Sequence, residues 1–225
     1  MTRSHRNETL MAETLIAEID QIDRAKAEVI AAGRAAAARG WVPATSGNFS
    51  ARIDAARIAV TRSGTDKGEL GPEDVLVQPL EAPAMPGASA ETPLHLHLYR
   101  DDPSVAAVLH THGPASTVIG RAHERAGSVF FTGWELQKAL AGIRTHEATV
   151  ELPVFANDQD TLALAGRVTR RFAEPQSPDT TLAPGYLIAG HGLYAWGRSA
   201  AEASRHLEAL ETLCAQSLAL AGFRP

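Results

Sequence analysis

Ser104-Val105-Ala106-Ala107-Val108-Leu109-His110-Thr111-His112 is the stretch on which the fold turns. An apolar, β-branched run of this length predicts a buried strand. Residues i and i+2 of a strand point to one face, so His110 and His112 aim at a common spot. Two convergent imidazoles at a strand end are the beginning of a metal site. The chain carries its own control. His95 and His97 have the same spacing in Thr92-Pro93-Leu94-His95-Leu96-His97-Leu98-Tyr99, but Pro93 after Thr92 signals a helix start. On a helix, i and i+2 diverge, so His95 and His97 are expected to pack or to support other groups.

Upstream, residues 8–39 predict a long helix. Leu10, Leu15, Ile16, Ile19, Ile22, Val29 and Ile30 recur near the 3.6 period, the alanines of 35–38 favour helix, and Gly40 is a stop signal. Strands are expected at 57–61 and 75–77, then a surface excursion over 80–87 marked by Pro83 and Pro86. A helix over 93–100 ends before Pro103. Downstream the pattern predicts a helix after Pro114, a short strand at 128–131, a helix at 133–140, a strand at 150–155 and a helix at 160–171. Two close strands, 186–189 and 193–196, flank Gly190-His191-Gly192, and a helix covers 200–220. This irregular alternation, with hairpin-like pairs, predicts an α/β/α sandwich on a largely antiparallel or mixed sheet. Neither a repeat nor a linker interrupts it, so a single domain over residues 1–225 is expected.

The composition, 44% hydrophobic over 225 residues, supports a sizeable core. No apolar stretch approaches the roughly 20 residues of a spanning helix, and the N-terminal residues lack a signal-peptide core. A lone cysteine, Cys214, excludes an internal disulfide and fits a reducing cytoplasm. Asn48-Phe49-Ser50 matches a glycosylation acceptor, which is empty without secretion. A net charge of −5 with no basic cluster argues against a nucleic-acid partner. An anionic ligand must therefore be held by a local site.

A third ligand would turn the His110/His112 pair into a catalytic metal site with an open position. His191, between flanking glycines, is either that ligand or a hairpin residue in a tight turn. His5, His123, His146 and His206 have no comparable context. Metal-assisted proton chemistry also needs a general base. Glu91 precedes a helix start, where a carboxylate is favoured in any case. Glu135 stands in Thr132-Gly133-Trp134-Glu135, which also spells a capping box. Two loops, Thr45-Ser46-Gly47-Asn48 and Thr61-Arg62-Ser63-Gly64-Thr65-Asp66-Lys67, are either ordinary turns or a phosphate cradle whose donors are backbone N–H groups, hydroxyls, Asn48 and Lys67.

Taken together, Ser46-Gly47-Asn48-Phe49-Ser50, Ser63-Gly64-Thr65-Asp66-Lys67, Ser89-Ala90-Glu91-Thr92, Leu109-His110-Thr111-His112, Trp134-Glu135-Leu136-Gln137-Lys138-Ala139 and Gly190-His191-Gly192-Leu193-Tyr194-Ala195-Trp196-Gly197 resemble the class II aldolase family. The resemblance runs over about 41–220. The Trp-Glu-Leu-Gln-Lys stretch and the Tyr-x-Trp-Gly ending resemble its dehydratase branch. It implies a three-layer α/β/α sandwich with a largely antiparallel central sheet, and zinc, one per subunit, held by His110, His112 and His191. It also implies a phosphate site from Ser46, Gly47, Asn48, Ser63, Gly64 and Ser89. Glu135 matches the acid/base of the dehydratases, and Glu91 stands where aldolase members keep their catalytic glutamate, which leaves it as a substrate contact, a second ligand in the resting site or the base of an aldolase. The implied activity is loss of water from a sugar phosphate in the cytoplasm; an aldolase or epimerase, or an adducin-like scaffold, are the alternatives. Family members form four-fold tetramers with sites at subunit boundaries, which implies a homotetramer with no nucleic-acid or membrane partner.

Overall fold

In the computed structural model, which describes the backbone of residues 3–223 and side chains from residue 11 onward, helix α1 runs Arg3–Ala38. Its second half meets the core: Ala25, Val29 and Ala36 are buried, with Ile22 and Ile30 packed against them. Leu15, Ile16 and Ile19, expected on the same apolar face, are instead exposed. Length explains the difference. A helix of 36 residues spans about 54 Å, whereas the five-residue strands beneath span about 17 Å. The His5 and Leu10 side chains lie outside the described residues.

The strands and helices follow as β1 (Asn48–Arg52), β2 (Arg57–Thr61), β3 (Val75–Pro79), α2 (Thr92–Asp101), β4 (Ala107–Thr111), α3 (Pro114–Ala122), β5 (Ser128–Phe131) and β6 (Thr149–Phe155). They continue as α4 (Thr161–Ala173), β7 (Thr180–Leu182), β8 (Gly185–Ile188), β9 (Gly192–Gly197) and α5 (Ala200–Gly222). β1 and β7 have no strand signature in the sequence. β1 is short and poor in β-branched residues, and it is a strand because it pairs on both sides, with β2 and with β4. The helix expected over 133–140 is a 3-10 turn at Glu135–Ala139. There the Gln137 amide accepts from Trp134 N–H and donates to the Ala148 carbonyl, tightening the segment against the start of β6.

The sheet order is β3-β2-β1-β4-β9-β8-β6-β5, with β7 beside β6. All pairings are antiparallel except those of β6 with β7 and β8. Alternation along β4 assigns the layers. Ala107 and Leu109 face a core shared with α1, α3 and α5. Val108 faces the opposite core, shared with α2 and α4. His110, two residues beyond Val108, belongs to this second face and stacks on Tyr194 with ring centroids 4.0 Å apart. The architecture is the three-layer α/β/α sandwich on a largely antiparallel sheet. Among the described residues no helix is long and apolar enough to cross a membrane.

Candidate metal centre and anion cradle

β4 lies mid-sheet, where Asn48 of β1 and Tyr194 of β9 flank His110 in register. His112 follows the strand, its N–H bound to the Trp41 carbonyl. His191 sits in the β8–β9 turn, which Gly192 presses against β4. A Cβ on Gly192 would stand 1.9 Å from the Thr111 carbonyl oxygen, so only glycine allows this approach. Glu91 enters from the other side as the residue before α2. It makes no side-chain cap; its carboxylate turns to the histidines instead. Nε2 of His110 is 3.0 Å from Nε2 of His112 and 3.3 Å from Oε2 of Glu91. Nε2 of His191 is 3.0 Å from Oε1 of Glu91. One ligand atom from each of these four residues falls within 4.8 Å of the other three.

The electrostatics suit a cation. Burial holds the His110 imidazole down to about 3, against a raising contribution from Glu91. Burial likewise holds His112 down to about 4. Neutral rings offer lone pairs. His110 Nδ1 lies 3.1 Å from the Leu193 carbonyl, and donating its proton there leaves Nε2 free to bind. Burial opposes the ionisation of Glu91, yet His110, a hydrogen bond from His191 and another from Asn48 outweigh it and hold the carboxyl far below its ordinary range. One half-buried anion with three imidazoles is the donor set of a divalent ion, and the residues fit such an ion.

Beside this group lies a cavity of ≈ 330 Å³ bordered by both glycine loops, Ser89, Glu91, His112 and His191. Around its first loop the backbone turns left-handed at Ala44, Thr45 and Gly47, with φ of 52, 64 and 77°, while Ser46 between them is extended. Gly47 also lies so close to β4 that a Cβ would meet the His110 carbonyl at 2.7 Å. The buried Ser46 hydroxyl has no protein partner and borders this cavity. Lys67 is buried. Its ammonium donates to the carbonyls of Thr45, at 2.9 Å, and Thr65, at 2.7 Å, tying the two loops together. Asn48 Nδ2 donates to Glu91 Oε2 at 2.6 Å and to Ser89 Oγ at 3.3 Å, linking the cradle to the histidine group. Arg62, Asn157 and Thr161 also border the cavity. Sequence reasoning misses these three; Arg62, inside the second loop, is the one with a visible signal. A larger apolar cavity, ≈ 460 Å³, opens between α2 and α4 and is bordered by Phe172 and Trp196. It touches none of the four converging residues.

Glu135 is elsewhere. Its carboxylate is 70% exposed and pairs with Lys138 and His146. It forms no capping box with Thr132, whose hydroxyl bonds Thr149. β5 ends at Phe131, opposite Val150 near the start of β6, whereas the His191 turn follows β8, whose Ile188 pairs with Phe155 at the end of β6. Glu135 therefore lies four strand steps from β4, about 19 Å, and toward the opposite end of the sheet. Of the other histidines, His123 bonds the Ile119 carbonyl and His206 is buried between Trp196 and Ala141. Cys214 is buried.

Fold and site define an α/β/α protein with a group that could hold a divalent metal, next to a polar cavity bordered by two glycine-bearing loops. The chain belongs to the class II aldolase and adducin N-terminal domain family, whose model matches residues 27–218. It is 60% identical over 192 residues to a methylthioribulose-1-phosphate dehydratase of Bradyrhizobium sp. (strain BTAi1), covering 85% of this chain and 89% of that protein. It is 46% identical over 204 residues to a protein of the same name from Parvibaculum lavamentivorans, covering 91% and 97%. Among solved structures, L-fuculose-1-phosphate aldolase from Thermus thermophilus superposes with a TM-score of 0.69 at 28% identity, over 88% of this chain and 95% of that one. The Escherichia coli protein YgbL shares the fold at TM-score 0.74 and 22% identity, over 91% and 92%.

Proposed function

We propose that this chain is a lyase, a zinc-dependent methylthioribulose-1-phosphate dehydratase of methionine salvage, working in the cytoplasm as one domain per subunit of a homotetramer. The observation that carries the reading is the convergence of His110, His112, His191 and Glu91 beside the glycine-loop cradle, in a chain 60% identical to a protein of that name. His110, His112 and His191 would hold one zinc ion per subunit, with Glu91 as a fourth donor within reach. An ion bound there would supply Lewis-acid chemistry, making the C3 hydrogen of a ketose 1-phosphate more acidic.

The chain's own groups do the rest. Backbone N–H groups of Gly47 and Gly64, with the hydroxyls of Ser46, Ser63 and Ser89, hold the phosphate, and Asn48 and Lys67 fix the loops that carry them. Glu135 of a neighbouring copy, brought in across a subunit boundary, removes the C3 proton. Its carboxylic acid then gives a proton to the departing C4 hydroxyl, which leaves as water. The enol that remains tautomerises to 2,3-diketo-5-methylthiopentyl 1-phosphate. The test is to incubate metal-analysed protein with methylthioribulose 1-phosphate and weigh the product. Loss of one water supports the reading, and an unchanged substrate refutes it.

A second reading, an aldolase with Glu91 as base, is favoured by the presence of Glu91 within the histidine group. It breaks C3–C4 and releases an aldehyde, which the same mass measurement detects. An adducin-like scaffold would leave the histidines free of metal in the native preparation.

A further inference from the structure

Glu91, His95 and Tyr99 are spaced by four on α2 and its first flanking residue, and Asn48 and Ser50 are spaced by two on β1. Four residues of helix advance about 6 Å and two residues of strand about 6.6 Å. The two rows therefore mesh with nearly equal pitch, and their polar tips alternate. Tyr99 OH is 2.9 Å from Ser50 Oγ. Ser50 Oγ is 2.6 Å from His95 Nδ1. His95 Nε2 meets Asn48 Oδ1, and Asn48 Nδ2 reaches Glu91 Oε2 at 2.6 Å. Asn48, Ser50, His95 and Tyr99 are each at most 3% exposed, so water does not compete for these bonds.

The direction of every proton in this row follows from its end. A carboxylate only accepts, so the Asn48 amide must present its NH₂ to Glu91 and its oxygen to His95. That oxygen only accepts, so His95 must carry its proton on Nε2. The neutral ring then accepts at Nδ1 from the Ser50 hydroxyl, and Ser50 accepts from Tyr99. We propose that His95 is a positioning residue for the site: as the Nε2–H tautomer it locks Asn48, which pins Oε2 of Glu91 3.3 Å from His110 Nε2, while Oε1 meets His191 Nε2 at 3.0 Å. The proposal rests on the reading that Glu91 belongs to the working metal centre.

Aligned donors of this kind reinforce one another, and groups behind metal ligands typically change metal affinity 10–100-fold when removed. His95→Leu removes both ring nitrogens at similar bulk. His95→Gln keeps an amide N–H near the position of Nε2. Tyr99→Phe removes the outermost donor alone. Zinc affinity is measured by competition with a chromophoric chelator, and kcat and KM with methylthioribulose 1-phosphate. His95→Leu is expected to weaken zinc binding and lower kcat by roughly tenfold or more, with KM nearly unchanged. His95→Gln is expected to stay within about threefold of the parent on both, and Tyr99→Phe to fall between.

The ring itself is read by nitrogen-15 NMR of histidine-labelled protein at neutral pH, with and without zinc. The Nε2–H tautomer is expected in both states. An Nδ1–H or doubly protonated His95 overturns the proposal even where His95→Leu does not fold. So does a folded His95→Leu with unaltered zinc affinity and kcat. A parent protein that binds zinc but leaves the sugar phosphate untouched sinks the dehydratase reading instead, while the tautomer and zinc measurements still decide the role of His95.

Discussion

Two inactive variants of this chain should restore each other. The proposed acid/base, Glu135, lies about 19 Å in strand steps from β4 and toward the far end of the sheet, so no chain can use its own. Glu135→Gln removes the proton carrier from an exposed surface group. Its partners are Lys138 and His146, both also exposed, so folding and melting temperature should be unaffected, and zinc should remain bound. Turnover should fall by about 10²–10⁴, the usual worth of a general acid–base group. His112→Ala leaves Glu135 intact but removes one of the converging imidazoles, and should be inactive for the opposite reason. After subunit exchange at equal concentrations, a boundary is competent when an intact metal group faces an intact Glu135. Each condition holds half the time, so about a quarter of wild-type activity should return in a closed ring of any size. The assay is product formation before and after exchange, with exchange itself followed by native mass spectrometry. Confirmed mixed oligomers that stay silent would refute the cross-boundary placement, and a near-normal rate for Glu135→Gln alone would remove it from the chemistry.

Three further outcomes follow from the site's construction. Gly192→Ala puts a methyl 1.9 Å from the Thr111 carbonyl, forcing β9 from β4 beside His191. A cost of about 3 kcal/mol, a melting point lower by roughly 6–12 °C and about tenfold weaker zinc binding are expected, and unchanged calorimetry would contradict the close approach. Metal-free protein should lose stability as pH falls below about 6.5. His95, His110 and His112 are held down to about 4, 3 and 4 chiefly by burial, so the unfolded chain binds more protons in this window. The steepest slope should approach roughly 4 kcal/mol per pH unit, with Glu91, also held down, adding a further loss below its ordinary range; urea midpoints that are flat from pH 7.5 to 5 would deny it. Chelation should abolish turnover, and zinc at about 100 times its Kd should restore it and add about 2.7 kcal/mol; a melting curve insensitive to zinc would count against the metal.

The layers and the histidine group are legible in the sequence because period-2 and period-3.6 patterns and the His-x-His spacing are local. The strand at 107–111, the helix after Pro93 and the glycine-flanked turn at His191 follow from neighbours in sequence. β1 is not legible, because Asn48–Arg52 becomes a strand only between two partners. The Leu15, Ile16 and Ile19 face of α1 carries a core-like period yet overhangs the sheet, since periodicity does not report where the sheet ends. Within the site, the Glu91–His191 contact joins residues a hundred positions apart. Lys67 reads as a ligand donor because its loop looks like a phosphate turn. That its ammonium is turned to two carbonyls depends on a second loop over twenty residues away in the chain.

That ammonium has a consequence for recognition. Because Lys67 staples two separate turns through their carbonyls, the jaw they form is already set in the resting chain. A ligand arriving there has little slack to take up, so capture loses little conformational freedom. If the proposed phosphate site is right, the same stiffness should make the jaw a gauge of shape, favouring a compact tetrahedral head over a bulkier or branched anion.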